Sequence, residues 1–320
     1  MSERDTTPSR ARLVTMGETM AVFSTDERWR TRGSTVLRSA GAESNVAIVA
    51  ARLGAPSTWI GRVGSGGLAE RLIADLAAEG VTVCEIPDPG VPSLLLKERR
   101  LPDGPHIQYV RERGPGSRLS PADLEPALLA DAALLHVTGV TPALSRTARD
   151  AVFAALALGR DVGSAISFDV NYRSRLWDRA EAGPVLRALA EQADILFIGD
   201  DEVDVLFEGR LSGPEAAGYF VDRGVREVVL KQGGAGALAF SDGRVVQQEA
   251  FIVDVVDPVG AGDAFAGGYL AERLRGEPIG LALRTGAVCG AFAVRSAGDW
   301  EGAPTRRDVQ EFLAHGGTSR

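Results

Sequence analysis

Only two cysteines occur in the 320 residues, Cys84 and Cys289. That excludes a disulfide framework and a cysteine-ligated zinc site, and leaves both as small apolar residues. Lysine is equally scarce, at Lys97 and Lys231, although arginine brings the basic residues to 35. Neither lysine completes a Gly-x-x-x-x-Gly-Lys-Ser/Thr loop, so any phosphate chemistry falls to backbone amides, arginine and metal. The three histidines, His106, His136 and His315, lack metal-ligand spacing, and His136 lies inside an apolar strand as a packed residue. No Gly-x-Ser-x-Gly elbow and no nucleophilic triad present themselves. Positive charge is not in excess: the net charge of −8 argues against a nucleic-acid partner or a basic membrane-surface protein. No apolar run reaches membrane-spanning length, and the polar segment Met1–Arg12 has no apolar signal core. The expectation is a cytoplasmic protein with residues 1–12 as a disordered extension.

What remains is an ordinary globular composition, 45% hydrophobic and 24% charged, enough for one large α/β domain or a main domain with a small second one. Apolar runs at Leu13–Met16, Ser57–Val63, Ala133–Thr138, Ala165–Val170, Asp194–Ile198 and Glu227–Lys231 read as strands. Between them lie helical patterns at Val46–Leu53, Leu68–Ala78, Pro142–Leu158, Gly183–Gln192 and Pro214–Arg223, followed by Ala261–Leu274, Ile279–Arg295 and Thr305–Ala314. Such alternation implies a largely parallel sheet with helices on both faces. From about Ser93 to Arg113 the texture changes to two strands around Pro102-Asp103-Gly104-Pro105, a candidate lid, and a hairpin flanks Ser241-Asp242-Gly243.

The chain is organised around Asp254-Val-Val-Asp257-Pro-Val-Gly260-Ala-Gly262-Asp263-Ala-Phe265. Small residues at 260–262 let backbone N–H groups converge at a helix N-terminus, which makes an anion site. A carboxylate there repels phosphate unless it has a task, and the task is to take a proton from an attacking hydroxyl. Asp263 as a plain N-cap is the alternative, and local spacing favours neither. Ligands of such sheets sit beyond the carboxyl ends of the strands. Those ends are polar here: Gly17-Glu18, Thr138-Gly139, Asp169-Val-Asn171-Tyr-Arg173, Asp200-Asp201-Glu202 and Lys231-Gln-Gly233-Gly-Ala-Gly236. If the strand continues, residues 169, 171 and 173 share a face, and Arg173 reaches a phosphate or carboxylate; the alternative is an arginine paired with Asp169. Glu202 is a magnesium candidate acting through water, or part of an acidic helix start. Tyr109 and Arg111 alternate on the lid strand and would point the same way, toward a substrate or toward solvent. Gly64-Ser-Gly66-Gly-Leu-Ala69, with Glu85 beyond it, gives a rival dinucleotide fingerprint, although a strand and helix precede it.

Taken together these residues resemble the ribokinase/PfkB carbohydrate kinase family over nearly the whole chain, Asp257–Phe265 most specifically. Within the family the pattern is similar to 2-keto-3-deoxygluconate kinases. The strings that carry this likeness are Gly41-Ala-Glu43-Ser-Asn45, Tyr109-Val-Arg111, Asp169-Val-Asn-Tyr-Arg173-Ser-Arg-Leu-Trp177 and Gly298-Asp299-Trp-Glu301. The resemblance implies a ribokinase-like three-layer α/β sandwich over 13–316, with a mostly parallel sheet and lid strands near 33–38 and 93–113. It implies transfer of phosphate from ATP to the 6-hydroxyl of 2-keto-3-deoxygluconate, with Asp263 as base and Gly260, Ala261 and Gly262 as the anion hole. Gly41, Asn45, Tyr109, Arg111, Asp169 and Arg173 would hold the sugar acid, with Asp299 nearby. Lys231, Gly233 and Gly236 would lie on the nucleotide side, with Mg²⁺ near Glu202. The sequence departs from the family where Gly199 replaces the Asn of Asn-x-x-Glu, where Ala40 precedes Gly41, and where Pro258 replaces Thr at a position bearing on a K⁺ site. Other acceptors (fructose, ribose, a nucleoside, 5-dehydro-2-deoxygluconate), a nicotinamide oxidoreductase and a sugar-binding regulator are the rival readings. Exposed lid edges suggest a homo-oligomer, a dimer or higher.

Overall fold

The computed structural model describes residues 12–30, 33–100 and 104–316. The expected N-terminal extension lies outside the described residues, except that Arg12 already opens the first strand. In chain order the strands are β1 Arg12–Met16, β2 Met20–Thr25, β3 Val36–Ala40, β4 Ser57–Arg62, β5 Thr82–Ile86, β6 Leu94–Arg100 and β7 Gly104–Val110. They continue as β8 Ala132–Thr138, β9 Ala165–Asp169, β10 Ile195–Gly199, β11 Glu227–Lys231, β12 Ala237–Ser241 and β13 Arg244–Gln248. The longer helices are α1 Ala42–Arg52, α2 Gly67–Ala78, α3 Arg146–Asp161, α4 Arg179–Ala190, α5 Gly213–Val221, α6 Ala261–Leu274, α7 Ile279–Ala293 and α8 Arg306–Ala314.

One sheet runs β13-β12-β11-β10-β9-β8-β1-β4-β5, parallel from β11 to β5, with the β12–β13 hairpin antiparallel at one edge. Strand alternation divides its side chains between two layers. Val14, Leu135, Val137, Ile166, Leu196, Ile198 and Val228 face α3, α4 and α5. Leu13, Leu134, Phe197 and Val229 face α1, α6, α7 and α8. The result is the expected three-layer sandwich. Polar caps set several helix starts: Ser145 accepts from the amide of Ala148, Asp178 from that of Glu181, and Thr305 and Asp308 cap each other reciprocally.

A second sheet, β3-β2-β6-β7, forms the lid. Its Ala21, Phe23, Leu37 and Leu94 pack on Trp59, Leu72 and Trp300, which seats the lid on the main body. The expected lid strand at 33–38 falls at Val36–Ala40, and the expected turn at 102–105 is shorter, because Gly104 and Pro105 already belong to β7. Pro102 and Asp103 lie outside the described residues. Strand β2 was not expected. It follows β1 after only Gly17-Glu18-Thr19 and leaves the main sheet for the lid, pairing parallel with β6 and antiparallel with β3. Gly64 and Gly66, the rival fingerprint, turn the chain from β4 into α2 with positive φ. A Cβ at Gly64 would lie 2.5 Å from the carbonyl of Gly90, so this glycine answers to packing against a neighbouring loop.

Phe197 ties the central strand to the helix that carries Asp263, meeting Tyr269 edge-on at 5.4 Å and Phe265 at 6.4 Å. Phe197→Ala is expected to lower stability by about 3–5 kcal/mol, read from denaturant unfolding curves.

Candidate active site

At the carboxyl end of the main sheet, three loops and two helix N-termini converge on Asp263, in the first turn of α6 and only 6% exposed. Gly260 takes a left-handed φ of 79° to start that helix, and a Cβ there would lie 2.0 Å from the carbonyl of Asp299, so only glycine makes the turn. In the first turn of α6, the amide of Ala261 donates to the carbonyl of Pro258 at a long 3.4 Å, and a helix start of this kind leaves an electropositive rim at residues 261–263. Asp263 does not cap this helix, because its side chain is held from elsewhere. Asn45 Nδ2 donates to Oδ2 at 2.8 Å and Asn171 Nδ2 donates to Oδ1 at 3.0 Å. Burial pushes the Asp263 pKa above the ordinary carboxylate range, against the opposing pull of the Arg173 cation and the Asn45 hydrogen bond.

Asn45 comes from α1, whose start is set by close backbone contact. A Cβ on Gly41 would sit 2.1 Å from the carbonyl of Glu18, so the helix begins directly against the end of β1. Asn171 arrives differently from expectation. The strand ends at Asp169, and Asn171 adopts φ 38°, so residues 169, 171 and 173 do not share a strand face. This left-handed residue, which asparagine tolerates better than most, turns its amide onto Asp263. Its contribution was missed from the sequence, although it stands two residues beyond Asp169 in the polar string.

Asp169, expected among the substrate ligands, is instead the counter-ion of Lys231, whose Nζ donates to both its oxygens at 2.6 and 2.8 Å. The alternative of an Arg173–Asp169 pair is therefore not what forms. Arg173 is exposed and influences Asp263, and its side chain has no hydrogen bond or ion pair among the described residues. Lys231 lies beneath the Gly260–Gly262 loop, 3.5 Å from where a Cβ on Gly262 would be. Beyond it, Gly233 has open space above it, while Gly236 turns with φ 104° against the backbone of Gln248. Glu202 accepts from the amides of Gly199 at 2.6 Å and Tyr172 at 2.8 Å, which ties the loop after β9 to the loop after β10. Burial raises its pKa. Among the described residues no three His, Cys, Asp or Glu side chains converge as a metal cage.

On the lid side, Arg111 lies over the ring of Tyr109 at 5.1 Å and pairs with Glu18 at 2.9 Å. Lys97 forms an ion pair with Asp257, and Arg175 donates to the carbonyl of Ile107 at 2.6 Å, so the lid is strapped to both active-site loops. A cavity of about 390 Å³ lies between lid residues Val22, Arg38 and Lys97 and the loop residues Asp257, Pro258 and Asp299. Asp299 thus belongs to this cleft, and burial, with Asp263 nearby, pushes its pKa up to about 7. His136 is fully buried against Ser167, as expected of a packed residue, and burial lowers its pKa to about 4.

A further acid escaped the sequence reading as a separate element. Glu43, inside Gly41–Asn45, is fully buried, and its Oε1 accepts from Thr138 at 2.7 Å and Thr141 at 2.8 Å. Its carboxyl occupies the space that a side chain on Gly17 would need. Burial raises its pKa from 4.5 to about 7, against the lowering effect of the two threonine hydroxyls.

Residues 10–306 match the pfkB family carbohydrate kinase pattern. A Haloferax volcanii protein named 2-dehydro-3-deoxygalactonokinase is 34% identical over 312 residues, covering 96% of this chain and 98% of that one. A Bacillus subtilis protein named 2-dehydro-3-deoxygluconokinase is 36% identical over 312 residues, covering 94% and 95%. A solved structure from E. coli, provisionally titled ribokinase II and in complex with ATP and Mg²⁺, superposes with a TM-score of 0.87 at 27% identity. That match covers 95% of this chain and 99% of the other.

The buried Glu43 gives a pH prediction with a definite sign. A carboxyl whose pKa is higher in the folded state favours folding below about pH 4.5, and that contribution is lost as pH rises through about 7. Wild type is expected to lose of the order of 3 kcal/mol more than Glu43→Gln between pH 4.5 and 8, measured by denaturant unfolding at both pH values.

Proposed function

The chain belongs to the pfkB family of carbohydrate kinases, and from that premise we propose that it phosphorylates the 6-hydroxyl of a 2-keto-3-deoxy sugar acid, 2-keto-3-deoxygluconate first among them. As a carbohydrate kinase it is a phosphotransferase acting on an alcohol group. The observation that carries the finer reading is the Asp263 carboxylate, buried at the N-terminus of α6 with one amide donor on each oxygen and Arg173 beside it. The names of the Haloferax and Bacillus relatives support the acceptor class.

In this reading Asp263 accepts the proton of the 6-hydroxyl as that oxygen attacks. The amides of Gly260, Ala261 and Gly262 donate to the transferring phosphoryl group, where charge grows in the transition state. Lys231, held under the loop by Asp169, adds a fixed positive charge and fills the rim beside Gly199, its register partner, where the resemblance expects an asparagine. Arg173 holds the acceptor's carboxylate with its planar fork, Gly41 and Asn45 form the floor, and Tyr109 and Arg111 close the lid side. The turn from Gly233, which is open, to Gly236, which packs on Gln248, lies in the same half of the chain as the exposed Ile252, Val255 and Val256, and it suits the planar base of a nucleotide.

The residues fit ATP: amide donors and a buried ammonium face the phosphate position. Mg²⁺ on those phosphates would supply charge neutralisation, and Glu202 is the residue that would hold it, through water rather than directly, since both its oxygens accept from backbone amides. A K⁺ site next to Pro258 remains part of the proposal. So does pairing of two copies along β3 and β7, the lid's outer strands, which carry the exposed Val36 and Val110.

The test is ADP release with Mg·ATP across 2-keto-3-deoxygluconate, its galactonate epimer, gluconate, fructose, ribose and adenosine. Turnover confined to the keto-deoxy acids is expected, and a preference for a neutral sugar would overturn the role of Arg173. Asp263→Asn is expected to keep ATP affinity and to lower kcat by about a hundredfold to ten-thousandfold. Because the base must be ionised, kcat/KM is expected to fall on the acid side through an apparent pKa above the ordinary carboxylate range. A variant with near-normal kcat, or a flat acid limb, would refute the base.

A further inference from the structure

Arg111 does not stand as a free cation in the acceptor cleft. Its Nη2 lies 2.9 Å from Glu18 Oε2, and the two side chains are only 11% and 3% exposed. Glu18 cannot swing away. Its other oxygen accepts from Ser93 Oγ at 2.7 Å, and its stem fills the space where a Cβ on Gly116 would lie, 2.9 Å from Cγ. Its own backbone carbonyl touches Gly41 at the acceptor floor. Meanwhile Nε and Nη2 of Arg111 are closed off from solvent, so this edge of the guanidinium faces Glu18 and the protein interior. Its charge is already balanced within the protein.

We propose that Glu18 sets the charge that the cleft accepts: by neutralising Arg111 it leaves Arg173 as the counter-charge, so the site matches a single carboxylate and refuses a doubly charged group in its place. The proposal rests on the sugar-acid reading above and names a specificity determinant within it. A ketohexose 1-phosphate provides the probe, because it offers a free 6-hydroxyl but a dianion where the sugar acid has its carboxylate. Facing Arg173 alone, the dianion leaves one negative charge unmatched in a partly desolvated cleft next to Asp263 and Glu18, and a like-charge contact of that kind is costly.

The experiment measures kcat/KM for 2-keto-3-deoxygluconate, fructose 1-phosphate and fructose with wild type, Glu18→Gln, Arg111→Gln and the double variant. Glu18→Gln, which keeps the shape and frees the Arg111 charge, is expected to raise the ratio of 1-phosphate to sugar-acid turnover about tenfold or more. The double variant restores the charge balance and is expected to return that ratio to within about threefold of wild type. A merely structural role would lower all acceptors together. An unchanged ratio in Glu18→Gln, or a ratio that stays raised in the double variant, overturns the proposal. Should Glu18→Gln fail to fold, Arg111→Gln tests the opposite sign. The unbalanced Glu18 is then expected to depress the sugar acid relative to neutral fructose about tenfold, and equal losses overturn the idea. Wild type that turns over fructose but no keto-deoxy acid would sink the sugar-acid reading itself, a result separate from an unchanged ratio.

Discussion

The site depends on one buried carboxylate with a donor on each oxygen. Removing a charged group from water is tolerable only when hydrogen bonds replace its hydration, and Asn45 and Asn171 supply one N–H apiece to Asp263. Each oxygen keeps a free lone-pair direction, so the group is oriented without being saturated. That geometry explains why α1 must start hard against β1 at Gly41 and why the chain after β9 must reverse through a left-handed asparagine. It also explains why α6 packs on Phe197: each feature delivers one corner of the same triangle.

Around that triangle the charges come in matched pairs. Lys231 sits with Asp169 behind the Gly260–Gly262 loop, Arg111 with Glu18 under the lid, and Lys97 with Asp257 at the seam between lid and loop. Buried pairs of this kind add little stability on their own, but breaking one strands a charge, so they fix geometry more than they contribute to folding energy. Arg173, outside this pairing, is then the group with positive charge to give. Among the acidic residues nearby, burial raises the pKa of Glu202 and pushes those of Glu43 and Asp299 up to about 7.

Local pattern revealed the layered sheet, the β6–β7 lid hairpin and the small-residue loop at Gly260–Gly262, because strand period, turn residues and a glycine-rich helix start are written within a few neighbours. It did not reveal β2. Met20–Thr25 has no glycine or proline to mark its boundaries, and its partners are β3 and a strand some seventy residues on. It also misdirected Asp169 and Asn171. Which residues a strand end faces depends on where the strand stops, and that is decided by neighbouring strands rather than by the string itself. The ion pairs Glu18–Arg111 and Lys231–Asp169 join residues 93 and 62 positions apart: the parallel sheet, which gathers its carboxyl ends on one rim, brings Lys231 to Asp169, and the lid strand β7 delivers Arg111 to Glu18.

Asp263 comes from the last third of the chain, while its amide partners lie 218 and 92 residues earlier. The strands of the parallel part of the main sheet, through Lys231, all precede Asp263 in the chain. During synthesis these strands are therefore made before the carboxylate at their rim. The triangle closes only when α6 arrives.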